Sequence, residues 1–95
     1  MHNTVLKRFD FDITNVPNLP DTFTIEMPLE AQVHTVEKVG NNWYLWACVN
    51  DENPVKLYHF IAVERNDPMT VFGSSRFIGL VRTFKAILFF QVTGN

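Results

Sequence analysis

The run Gly40-Asn41-Asn42-Trp43-Tyr44-Leu45-Trp46-Ala47-Cys48-Val49-Asn50-Asp51 constrains this chain more than any other stretch. Three large aromatic rings and four small or aliphatic side chains fill consecutive positions, with turn-forming residues at both ends. Aromatic and β-branched side chains fit a pleated surface, and a short apolar run between turn signals is strand-like. The composition predicts a strand buried on both faces, hence the centre of a β fold. Gly40 and Asn41 tolerate positive φ, so the run opens from a hairpin turn.

The flanking segments repeat the period of two expected for strands. Phe9, Phe11 and Ile13 alternate with Arg8, Asp10 and Asp12, and Phe23, Ile25 and Met27 alternate with Thr22, Thr24 and Glu26. Pro28-Leu29-Glu30 interrupts the second segment, and a β-branched segment resumes over 31–39. After Asn50 to Pro54, Val55 to Glu64 sets Leu57, His59, Ile61 and Val63 against Tyr58, Phe60 and Ala62. Phe77 to Arg82 and Phe84 to Val92 complete the series. Asn15 to Asp21 and Arg65 to Ser75 read as loops, each punctuated by proline. No segment keeps a 3.6-residue period over a helix length. The pattern predicts an all-β chain, residues 1–95 forming a single antiparallel β-sandwich or partly open barrel of about seven short strands.

Composition excludes several functions. The net charge of −2 leaves no surplus of cations for general nucleic-acid binding. The longest apolar run, Ala86 to Phe90, is far short of the ~20 residues a membrane helix needs. Met1-His2-Asn3-Thr4 lacks a signal-peptide pattern. With one cysteine, Cys48, no internal disulfide forms, and the thiol reads as a small core residue. A reducing, cytoplasmic compartment is expected.

Catalytic signatures are missing from the sequence. His34 and His59 have no metal-ligand spacing. Cys48 and His59 are expected on adjacent strands, but no residue is placed to orient such a pair. Asp10 and Asp12 share the expected wet face, and Ser74-Ser75 lies outside any nucleophile motif. There is no phosphate-binding glycine loop. A non-enzyme without cofactor or metal is expected.

Two features favour binding instead. Strand 43–49 cannot turn Trp43, Tyr44 and Trp46 to one side, and ~95 residues supply little material to cover both of its faces. Trp and Tyr dominate interface hot spots, so these three residues form a candidate aromatic docking face. In the last strand, Ile87 and Phe89 fall opposite Phe84, Ala86, Leu88, Phe90 and Val92. Read as an outer face, Ile87 and Phe89 become candidates for a homo-oligomer interface. The charge is also uneven: residues 65–95 carry Arg65, Arg76, Arg82 and Lys85 against Asp67 alone. Arg76, Arg82 and Lys85 are thus candidate contacts for a small anionic ligand, such as a nucleotide signal.

The chain also resembles a family of small uncharacterised β-proteins of bacteriophages and prophages. The matching segments are Thr24 to Val33, Leu45-Trp46-Ala47-Cys48-Val49-Asn50, Phe77-Ile78-Gly79-Leu80 and Leu88-Phe89-Phe90-Gln91-Val92. Leu80 stands where Thr is usual, Asn50 where Asp is usual, and Gln91 where some relatives carry His. The resemblance implies an accessory phage product, with no catalytic residues to carry over. The expected functions are inhibition or sequestration of a host defence or regulatory factor, whether a protein or a small nucleotide signal. The alternatives are a virion structural or assembly protein and, least favoured, an enzyme.

Overall fold

The structure is a computed structural model that describes residues 4–13, 21–64, 74–83 and 85–93. The loops expected over 15–20 and 65–73, and Phe84, lie outside the described residues. Seven strands follow in order: β1 (Val5–Phe11), β2 (Asp21–Pro28), β3 (Gln32–Val39), β4 (Asn42–Val49), β5 (Val55–Glu64), β6 (Ser75–Arg82) and β7 (Ala86–Val92). They form two antiparallel sheets, β1-β4-β3 and β2-β5-β7-β6, packed as a sandwich that does not close into a barrel. Among the described residues no helix is long and apolar enough to cross a membrane.

Local sequence explains the elements. Gly40, at φ 61°, turns β3 into β4, so the expected hairpin forms where a side chain would be strained. Pro28 ends β2, and the chain crosses between sheets through Leu29-Glu30. Tyr58 pins that crossing: its hydroxyl donates to the Pro28 carbonyl at 2.7 Å and accepts from the Ala31 amide at 3.1 Å. The Asn53 amide side chain donates to the Leu29 carbonyl, and the Leu29 amide donates to the Pro54 carbonyl. These bonds satisfy backbone groups that leave one ladder before joining the next.

The core lies between the sheets. From β4 it takes Trp43, Leu45, Ala47 and Val49; facing them are Ile25, Met27, Tyr58, Phe60, Ala62, Ile78, Ile87 and Phe89. Phe89 is its centre, with ring centroids 5.6 Å from Trp43, 5.9 Å from Phe11 and 6.1 Å from Phe23. Such offset and edge-on pairs add to the gain from area burial.

Ile87 and Phe89 are fully buried, which corrects their placement on an outer face. Both faces of β7 are apolar, so its alternation separates two faces without showing which points inward. Pairing settles it: Ala62 stands opposite Phe89, and Glu64 opposite Ile87. Leu88 and Phe90 are the outward residues, half-buried. On the same outer face Phe77 and Leu80 of β6 are exposed, whereas Ile61 and Val63 of β5 are buried.

Two strands are irregular. The β3 register shifts between Val33 and Thr35, and that of β6 between Phe77 and Gly79. Each bulge inserts one residue, so Val33 and Val36 both face inward despite a spacing of three, as do Ile78 and Val81. The two bulged strands lie side by side across the gap between sheets. A Cβ on Gly79 would sit 3.1 Å from Thr35 Oγ1 and 3.1 Å from Val36 Cγ2, tighter than ordinary packing, so those side chains would have to give by a few tenths of an ångström.

Candidate functional site

The outward face of β1-β4-β3 gathers the aromatic residues that the core leaves over. β4 is central, so Tyr44, Trp46 and Cys48 lie in the middle of this face. The register sets Asp10, Arg8 and Leu6 beside them on β1, and Glu37, Thr35 and Gln32 on β3. Of the three candidate aromatics, Trp43 is a core residue, only 5% exposed, whereas Tyr44 and Trp46 are half-buried on the outer face. The expected burial of β4 on both faces is therefore corrected: one face is fully covered and the other is partly open. Cys48 belongs to the open face, not to the core.

Each outer ring is held from one side. The Arg8 guanidinium sits 3.9 Å from the centre of the Tyr44 ring, a cation–π contact. The Trp46 indole Nε1 donates to Glu37 Oε1 at 3.0 Å, satisfying its single donor and fixing the ring plane. The β3 bulge exposes both His34 and Thr35 next to Trp46. With Leu6 and Cys48 these side chains line a shallow hollow of about 510 Å³. Leu6 is 59% exposed at its rim.

The hollow is predominantly apolar and lined by Trp46, whose indole is held by Glu37, with Arg8 opposite Trp46 on β1. An aromatic ring held at an apolar hollow is the kind of feature found at the centre of interfaces. The ring planes are already set, so binding loses less side-chain entropy than at mobile residues. Sequence reasoning identified the aromatics but not Leu6 or His34. The bulge keeps Val33 and Val36 inward and leaves both His34 and Thr35 outside, which simple period-two alternation does not show.

The basic residues of the C-terminal third do not converge. Arg76 points across the sandwich, donating to the Val33 carbonyl at 2.9 Å and to Gln91 Oε1 at 3.2 Å. Arg82 lies at the other end of β6, six residues away and about 20 Å along the strand; there it falls on the opposite face, beside Ala86. Lys85 pairs with Glu64 at 3.1 Å. Their geometry gives no shared anion pocket. Cys48 and His59 are not on adjacent strands either, since β4 and β5 belong to different sheets. Asp10 and Asp12 border a second recess with Asn41, Asn42 and Trp43. Among the described residues no group of three or more His, Cys, Asp or Glu could hold a metal ion.

No protein-family model, curated protein or solved structure matches this chain.

Proposed function

We propose that this protein is a small phage-encoded accessory protein that works by binding, docking a host defence or regulatory protein in the host cytoplasm. The observation that carries the docking is the outer Tyr44–Trp46 pair, held by Arg8 and Glu37 beside the apolar hollow. The phage origin rests on the sequence resemblance. A protein partner is favoured over a small nucleotide because the outer aromatic rings and the candidate anion contacts Arg76, Arg82 and Lys85 occupy different parts of the molecule. Arg76 is engaged with the opposite sheet, and Lys85 with Glu64. On this reading the protein catalyses no reaction.

The test is affinity capture from bacterial lysate with tagged wild type and Trp46→Ala, read by quantitative mass spectrometry. A host protein enriched by wild type should fall at least about thirtyfold in affinity with Trp46→Ala, the loss typical of a hot-spot residue. Identical capture by both forms would sink the reading. Recovery of the protein in many copies from purified particles would favour the virion alternative.

A further inference from the structure

The four strands at the sheet margins are not equivalent. β3 and β6 face each other across the gap between sheets, and both are bulged. β2 carries charges of one sign only, Asp21 and Glu26, and ends in Pro28. β1 differs from all three. All seven of its residues pair with β4 without a register shift, and among the described residues no strand pairs with its other side. It contains neither proline nor bulge, two of the devices that block edge pairing, and carries a single inward-pointing charge. Lys7, the charged residue on its inward face, is tied to Asp51 at 3.1 Å.

β1 also carries both signs of charge on its outward face, Arg8 and Asp10, spaced symmetrically about Phe9. In an antiparallel pair of identical strands related by a two-fold axis, residues whose numbers share a constant sum stand opposite each other. An axis at Phe9 places Arg8 of each copy opposite Asp10 of the other, so the guanidinium that lies over Tyr44 in the single chain turns to the partner and the ion pair forms twice. Phe9 then meets its own copy on the inward face, and Lys7 meets Phe11. An axis at Arg8 would instead oppose two guanidinium groups and is disfavoured. The same operation on β2 brings no opposite charges together.

The geometry points to a second copy of this chain as the occupant of the β1 edge: a two-fold dimer in which β1 pairs antiparallel with β1 of its partner, centred on Phe9. The two three-stranded sheets become one six-stranded sheet. The β4 strands of the two copies lie three strand spacings apart, about 14 Å. Tyr44 and Trp46 of both copies then share one continuous outer face. The dimer does not rest on the docking reading above, because self-association is measured without any other partner.

The experiment is sedimentation velocity, with native mass spectrometry, on wild type, Arg8→Asp, Asp10→Arg and an equimolar mixture of the two variants. Wild type should behave as a pair of 11.0 kDa chains. Either variant alone sets like charges opposite each other twice and should weaken self-association at least about tenfold. Mixing the variants restores opposite charges at both contacts and should restore the dimer as a heterodimer. Circular dichroism establishes that each variant is folded; Arg8→Glu and Asp10→Lys replace a variant that is not. A monomeric wild type, single variants as dimeric as wild type, or a mixture that stays monomeric would each overturn the inference.

Discussion

The two sides of the sandwich, where the sheets meet at their margins, are built on different principles. On the β3–β6 side the strands approach so closely that a Cβ at Gly79 would crowd Thr35 and Val36, and Arg76 reaches across to the Val33 carbonyl. On the β1–β2 side the strands are regular and the contact is made by rings. Phe11 stacks on Phe23 at 4.6 Å, and Phe23 stacks on Phe60 at 5.4 Å. Bulges increase local twist and bend a strand, which carries one sheet margin toward the other. Regular strands keep the margins apart, and large side chains fill the space between them. The bulged side is thereby closed to further pairing, while the regular side leaves β1 available for it.

The comparison can be broken first on the ring-filled side. Phe23→Ala removes a half-buried ring that touches Phe11, Phe60 and Phe89, and should cost about 3 kcal/mol. In a domain of this size that lowers the melting temperature by roughly 15 °C. A loss below about 1 kcal/mol in urea unfolding would show that the rings do not hold this side together.

On the bulged side, Gly79→Val pushes new carbons against Thr35 and Val36. The expected cost is about 2 kcal/mol, typical of overpacking. A neutral result would mean that β3 and β6 part easily. Arg76→Ala should have the smallest effect, about 1 kcal/mol, from loss of a partly buried bond to the Val33 carbonyl. Combined with Phe23→Ala it should be additive within about 0.5 kcal/mol, because the two sides share no direct contact among the interactions described. Strong coupling would show that the two sides form a single cooperative unit.

Strand content was legible because period-two alternation and turn residues agree over most of the chain. The central place of β4 was legible from its aromatic content. What failed was orientation. In β7 both faces are apolar, so Ile87 and Phe89 could not be told from Leu88 and Phe90 without the partner strands. In β4 one side is fully covered and the other only partly, so Cys48 is half-buried on the outer face. The bulges at Val33–Thr35 and Phe77–Gly79 were hidden because an inserted residue disturbs the period only locally. The candidate site was legible in Tyr44 and Trp46 and invisible in Leu6 and His34, which arrive from β1 and β3.

By itself the sequence determined an all-β chain, the seven strand segments, the hairpin at Gly40 and the aromatic centre. These follow from local properties: side-chain alternation, backbone restrictions and turn chemistry. Only the tertiary structure decided which strands pair, which apolar face turns inward, and where the sheets touch. Those outcomes depend on contacts between residues far apart in the chain, such as Ala62 with Phe89 and Gly79 with Val36. Local alternation carries no information about the sheet to which a strand will be added.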